Sequence, residues 1–330
     1  MKRVRVGIIG LGYIGKIHLR NASGRRITNL QLEAVADVSK HALKEARKIG
    51  VKKTYTDYTS LLQDPNVDAV IIGLPTHLHT ECAKEAAEYG KHVMLEKPIA
   101  PNTFDAKQII SAAKNNSVKL MIGYPLRFNH SMLRLRNRLN SGELGDIVTA
   151  YVTNISTGPF MHRSIGHSPI PVPEWWFNKE LTGGGALFDL GSHMINLLRW
   201  FFGEVKDIKS FLGYRFNMEF EDQAICLAQF ESGVKAVLNV GWYSQKYQQK
   251  VELLGTNGNA IANIVPPNLI SAAIQMLTLN TTNFWHPYSA ELEYFARSII
   301  EDFEPSPTGN DGLRDIDALT LAYKNSERMN

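Results

Sequence analysis

The sequence predicts an α/β protein in two parts: an N-terminal doubly wound parallel sheet, then an α/β domain with an open, mainly antiparallel sheet. Three observations carry this. Short apolar runs alternate with helical periodicity as far as Gly123, the pattern of parallel strands joined by right-handed crossovers. A glycine cluster at the end of the first run opens directly into a helix. Beyond Gly123 the style changes to long extended stretches, some separated by turns such as Glu231-Ser-Gly233 and Thr256-Asn-Gly258.

Residues 4–10 form a short apolar run ending in glycine and read as a buried strand. Gly10-Leu-Gly12-Tyr13-Ile14-Gly15 follows, and a helical stretch runs on to about Ala22. This is the dinucleotide fingerprint in its required setting of strand, tight turn and helix. Gly10 makes the turn. Gly12 lets the backbone reach a pyrophosphate at the positive helix end, and Gly15 lets helix and strand pack closely. Tyr13 and Ile14 belong to the same cofactor-facing turn.

The second strand, 32–37, ends in Asp37, whose carboxylate can accept hydrogen bonds from the adenosine ribose hydroxyls. It would repel a 2′-phosphate, so it favours NAD. Lys40 softens that preference and leaves NADP possible. The competing reading makes Asp37 a cap for a helix over 40–49.

Alternation continues with strands at 68–73, 92–96 and 119–123 and helices at 79–89 and 104–115. Ligands of such sheets sit at the carboxyl ends of the strands. The loops leaving those ends supply Leu74, Pro75, Thr76 and His79, then Glu96 and Lys97, then Arg127, as candidate cofactor contacts. Tyr124 is a candidate substrate contact. His77 and His79 also read as loop packing and helix capping. Lys97 stands directly after a buried strand and before Pro98, which places it rather than leaving it loosely solvated. The Lys97–Pro98 bond is open to either isomer.

A helix over 131–141 closes at Gly142. Extended stretches follow at 147–155, 205–216, 223–230, 234–242 and 250–254. One face of their sheet should carry the helix after Gly183. No helices remain to cover the other, which suggests a subunit interface and a homodimer or homotetramer. Residues 158–176 are irregular and hold His162, Arg163, His167 and Trp175-Trp176. A loop of that length suits a lid, a substrate wall or a partner contact, with Trp176 as a candidate substrate contact. An amphipathic helix over 289–303 is broken by Pro305-Ser-Pro307, and a last helix spans 312–328 and can return to the first domain. The domains are therefore 1–124, for dinucleotide binding, and 125–330, for substrate binding and oligomerisation.

The stretch Gly183-Gly-Gly-Ala-Leu-Phe-Asp189-Leu-Gly-Ser-His193-Met-Ile-Asn196 organises the second domain. Its glycines permit a tight turn and close backbone approach. Asp189 stands where an N-cap is expected, and His193, four residues on, shares its helical face. A carboxylate beside an imidazole fixes a tautomer and makes a base. The plain alternative is a cap and a packed ring.

Composition narrows the function. The 330 residues are 44% hydrophobic and 21% charged with a net charge of +4, which fits a globular protein and shows no basic stripe for nucleic acid. No apolar run approaches a membrane span, and the N-terminus enters a strand at once without a signal peptide. Cys82 and Cys226 have neither metal nor redox spacing, which fits a reducing, cytoplasmic setting. No zinc or iron ligand pattern is present.

Together, the glycine fingerprint with His18, the Glu96-Lys97-Pro98 triplet and Gly123-Tyr-Pro-Leu-Arg127-Phe128 resemble the glucose–fructose oxidoreductase/inositol dehydrogenase/MocA family. So do the Gly183–His193 stretch, Leu254-Gly-Thr-Asn-Gly258 and Pro307-Thr-Gly-Asn-Asp-Gly-Leu313. The resemblance covers essentially the whole chain. It implies a Rossmann domain, an open-sheet domain, and hydride transfer between NAD(P) and a hydroxyl-bearing carbon of a sugar or polyol. It implies that Lys97 lies at nicotinamide and substrate, and that Asp189 and His193 are the substrate-side carboxylate and acid/base. Asn196 departs from the pattern, since many members carry an acid three residues after the histidine. A nucleotide-sensing regulator without catalysis, or a dehydrogenase of a non-sugar cyclic diol, are the alternatives.

Overall fold

The computed structural model describes residues 3–24, 27–160, 173–244, 246–264 and 286–329. The chain forms two compact units, Met1–Phe128 with Phe284–Leu313, and Asn129–Asn283 with Arg314–Asn330.

The first unit holds a six-stranded sheet in the order β3-β2-β1-β4-β5-β6, with every pairing parallel. Its strands are β1 (Val4–Ile9), β2 (Leu30–Ala36), β3 (Lys53–Tyr55), β4 (Ala69–Ile72), β5 (His92–Glu96) and β6 (Leu120–Gly123). Between them run α1 (Tyr13–Ala22), α2 (Lys40–Lys48), α3 (Tyr58–Leu62), α4 (His79–Glu88) and α5 (Thr103–Asn115). The central strands β1 and β4 are sealed on both faces, with Val6, Ile8, Val70 and Ile72 at 0% exposure, as parallel strands between helix layers must be. One face is closed by the helix His286–Ile300, whose Leu292, Phe295 and Ala296 join Val4, Val6, Ile8, Val35 and Leu43 in one core. Each of the Leu, Phe, Val and Ile side chains among them contributes about 1.5–3 kcal/mol on burial.

The alternation read from the sequence is observed, with β3 and α3 added. Three and five residues are too short to display a period, and only the Asp57 side chain, accepting from the Ser60 N–H at 2.8 Å, marks where α3 begins. The Lys97–Pro98 bond is cis.

The second unit carries a seven-stranded sheet in the order β12-β11-β7-β10-β9-β8-β13. The strands are β7 (Ile147–Ile155), β8 (Val205–Gly213), β9 (Gln223–Phe230), β10 (Lys235–Gly241), β11 (Gln248–Gly255), β12 (Gly258–Asn263) and β13 (Ser326–Arg328). The pairings are antiparallel except β10 with β7 and β13 with β8. Its helices include α6 (His130–Asn140), the single turn α7 (Lys179–Thr182) and α8 (Ser192–Phe202). Side chains alternate along β9: Ala224, Cys226 and Ala228 are buried, while Ile225 and Leu227 face outward.

The last helix expected over 312–328 instead spans Gly309–Lys324, and Ser326–Arg328 turns into an edge strand. The helix expected over 289–303 spans His286–Ile300. Of the irregular stretch 158–176, residues 161–172 lie outside the described residues, and with them His162, Arg163 and His167. Trp175 and Trp176 occupy a 3₁₀ turn, Glu174–Phe177.

Candidate active site

In the first unit, the end of β1 is shaped for a phosphate. Gly10 has φ +86°, and a Cβ there would stand 2.7 Å from the Gly73 carbonyl oxygen. A Cβ on Gly15 would collide with the Gly10 carbonyl. Around the Cβ position of Gly12, by contrast, there is open space. Helices α2, α3 and α5 are each capped by a side chain, from Ser39, Asp57 and Asn102. No side chain caps α1, and its first turn holds no acid. Those amide N–H groups suit an anionic ligand, so the turn fits a dinucleotide pyrophosphate. Tyr13 is half-exposed beside it, and Ile14 is partly buried against Gly73.

Asp37 lies one residue beyond β2. It accepts the Leu11 N–H at 2.6 Å and the Ser39 N–H at 2.7 Å. The helix cap is Ser39, which accepts from the Ala42 N–H. Asp37 therefore does not cap α2; it ties the glycine turn to the end of β2.

The other three loops lie at the ends of β4, β5 and β6. Leu74, Pro75 and Thr76 are partly exposed. His79 is buried, with Nδ1 3.0 Å from the Pro98 carbonyl and Nε2 2.9 Å from the Leu74 carbonyl. It links the two loops, and burial lowers its pKa. Glu96 is buried, with Oε1 2.6 Å from His18 Nε2 and Oε2 accepting the Lys97 N–H at 3.2 Å. Gly123 makes room for that carboxylate, since a Cβ would stand 3.1 Å from it. Lys97 itself is partly exposed. Tyr124 is buried, and so is Arg127, which donates to Ser306 Oγ at 3.3 Å and to Asp311 Oδ1 at 3.1 Å. Burial pushes the Asp311 carboxyl up, but Arg127 and the Thr308 donors outweigh it and hold it low.

In the second unit, Asp189 is not the cap of α8. It lies inside a π-helical turn, Leu187–Gly191, and its side chain makes no cap. The π-turn runs straight into α8, so the expected N-cap is internal to a longer helical segment. Turns of this kind recur at functional sites. From Gly184 to Arg199, every residue is buried except Asp189 and His193. The two side chains singled out by spacing are thus the accessible ones on an otherwise sealed segment.

Among the mostly apolar buried residues of α8, Asn196 and Arg199 are polar and paired. Asn196 donates to Asp315 Oδ2 at 2.7 Å, and Arg199 donates to Asp315 Oδ1 at 2.6 Å and to both Glu204 oxygens at 2.8 and 2.9 Å. The acid absent at position 196 is met by one from the last helix. Trp176 is half-buried, 6.2 Å between ring centroids from Trp242, which packs edge-on to Phe220 at 6.2 Å.

The family models decide the identity. An "Oxidoreductase family, NAD-binding Rossmann fold" model matches residues 4–124, and the "GFO/IDH/MocA C-terminal domain" model matches 132–261. The chain belongs to the GFO/IDH/MocA family. Its first unit is an NAD-binding Rossmann domain. The oxidoreductase YrbE of Bacillus subtilis is 29% identical over 95% of this chain and 91% of its own. The myo-inositol 2-dehydrogenase of Thermotoga maritima is 28% identical over 97% and 94%. The crystal structure of a probable dehydrogenase from Thermotoga maritima superposes with a TM-score of 0.83, at 26% identity over 98% of this chain and 96% of that one.

Sequence reasoning about this family member missed three structural supports: the contact of Asp37 with the Leu11 N–H of the glycine turn, the Asp315 carboxylate on Asn196 and Arg199, and the Glu221 carboxylate, which accepts the Gly185 and Leu187 N–H groups at the start of the π-turn. Each joins residues far apart in the chain, and local spacing carries no trace of such pairs.

Proposed function

We propose that the chain is an NAD-dependent dehydrogenase that transfers a hydride between nicotinamide and a hydroxyl-bearing carbon of a sugar or polyol, a cyclitol such as myo-inositol being the first substrate to try. The observation that carries this reading is the partial exposure of Asp189 and His193 on a helical segment that is otherwise buried. The fit of the Gly10–Gly15 turn to a pyrophosphate and the cyclitol specificity in the name of the Thermotoga maritima relative support it.

In this reading the Gly10–Gly15 turn and Asp37 would hold NAD, which would supply the hydride acceptor. His193 takes the hydroxyl proton, Asp189 orients the imidazole, and the Lys97 ammonium favours the developing alkoxide. Asp37 accepts from the ribose hydroxyls, which favours NAD over NADP. Leu74, Pro75 and Thr76, partly exposed after β4, and the loop that follows Glu96 would line the approach to the cofactor, and Trp176 would offer an apolar face to the substrate ring. The two thiols, Cys82 and Cys226, are free and buried, which supports a reducing, cytoplasmic setting. Among the described residues no helix is long and apolar enough to cross a membrane.

The outward face of the seven-stranded sheet supports assembly with a second copy. One cross-strand row reads Ile261, Glu252, Tyr151, Val237, Leu227, Lys209. In it Ile261, Tyr151 and Leu227 are each about half exposed, large apolar side chains of the kind that a subunit interface covers.

The test is a panel of cyclitols, hexoses and anhydrosugars with NAD, followed at the absorbance of reduced nicotinamide. Turnover of at least one polyol supports the reading. Tight NADH binding with no turnover on any of them would replace it with a nucleotide sensor.

A further inference from the structure

The π-turn that carries Asp189 has no side-chain cap of its own. The N–H groups at its start and just before it are taken up by a residue 34 positions beyond Leu187. Glu221 Oε1 accepts from the Gly185 N–H at 3.1 Å and the Leu187 N–H at 2.9 Å, and the Glu221 carbonyl accepts the Ala186 N–H at 3.0 Å. Three consecutive amides are thus held by one residue. The same Oε1 accepts the Tyr323 hydroxyl at 2.8 Å. Glu221 is 1% exposed.

The glycines fit this contact closely. A Cβ on Gly184 would strike the Tyr323 hydroxyl, and one on Gly185 would strike the Glu221 carbonyl. The Asp189 N–H donates to the Gly185 carbonyl at 3.0 Å. The register of Asp189 is therefore one hydrogen bond away from a peptide that Glu221 holds, and His193 follows one turn later. Burial pushes the Glu221 carboxyl up while Tyr323 and the amides pull it back, and burial and then Glu221 push the Tyr323 hydroxyl well above its usual range. Such a tightly satisfied buried group rigidifies what it holds.

We infer that Glu221 and Tyr323 are positioning residues: together they lock the Gly184–Leu187 backbone so that Asp189 and His193 are presented on the same open stripe. This rests on the dehydrogenase reading only for its kinetic arm. Displacement of a catalytic group by about 1 Å can cost on the order of a hundredfold in rate, so the effect should appear in turnover rather than in cofactor affinity.

The experiment compares Glu221→Leu, Glu221→Gln and Tyr323→Phe with the wild type in the full chain. Turnover and the NAD KM are measured on a polyol that the wild type oxidises. The His193 ring resonance is followed through a pH titration by NMR with carbon-13-labelled histidine, assigned with His193→Asn. Glu221→Leu should lose about ten- to a hundredfold in kcat with the NAD KM within about twofold, and should displace the His193 titration. Glu221→Gln, which keeps a carbonyl acceptor, should recover most of that loss. Tyr323→Phe should fall between them, with a melting temperature close to the wild type.

If Glu221→Leu does not fold, the Gln and Phe variants decide. The inference is overturned if the folded variants keep kcat within about twofold and leave the His193 titration unmoved. It is also overturned if Gln is as defective as Leu. The NMR arm needs no substrate, so a wild type that oxidises no polyol would sink the dehydrogenase reading while leaving this inference to be decided by the titration alone.

Discussion

Glu291 is wholly buried in the first unit, and burial, then the negative charge of Glu96, pushes its carboxyl well above the ordinary range. The sign of the consequence is fixed. A folded-state pKa raised above the unfolded value means that the folded chain holds a proton the unfolded chain has lost. The stabilisation is complete below the ordinary carboxyl range and drains away as pH climbs through the raised value, by at most about 1.4 kcal/mol per pH unit. Glu291→Gln should remove that slope, so its melting temperature should decline less than the wild type's from mild acid to alkaline pH. Parallel melting curves for the two proteins would show that Glu291 does not carry the effect. Asp37 is the second residue whose role can be tested singly. Its carboxylate holds the Leu11 and Ser39 amides, so Asp37→Ala should weaken NAD binding by about ten- to a hundredfold and narrow the preference over NADP. Calorimetry with both cofactors checks this; a wild type that prefers NADP by tenfold would contradict it. Gly10 and Gly15 were legible in the sequence because a glycine turn has a fixed local pattern. The same could not be said of Glu291, which looks like any acid on an amphipathic helix.

At the scale of elements, α8 is held by a chain segment remote in sequence, through Asp315. Arg199 bridges Asp315 and Glu204 with a side chain 4% exposed. Asp315→Leu should cost about 3 kcal/mol, the lower end for breaking a buried ion pair because Glu204 remains. Urea unfolding reads this directly, and a loss under about 1 kcal/mol would mean that Arg199 is satisfied elsewhere. Most elements longer than about five residues were visible as periodicity. The short ones, β3, α3 and β13, were not, because three to five residues do not complete a period. The π-turn was invisible for a different reason. Asp189 precedes an apolar period as an N-cap does, and the geometry is set instead by Glu221 and Tyr323, which no local pattern records.

At the scale of the molecule, the change from alternating strands and helices to extended stretches foretold two kinds of sheet, and the structure has one of each. The parallel pairing of β10 with β7 and the strand order were not legible, since pairing partners are chosen by packing rather than by neighbours in sequence. The outward face of the second sheet gives the assembly prediction. Light scattering at micromolar concentration should report at least a dimer, and Tyr151→Glu with Leu227→Glu should shift it towards monomer. A wild-type monomer would remove the interface from the proposal.

The central claim is that His193, presented beside Asp189, moves the substrate proton. The measurement that tests it most directly is kcat for NAD-dependent oxidation of the best polyol by His193→Ala, with NADH binding measured on the same preparation. We predict a loss of at least about a hundredfold in kcat and unchanged NADH affinity. A variant that binds NADH normally and retains more than about a tenth of wild-type turnover would contradict the account.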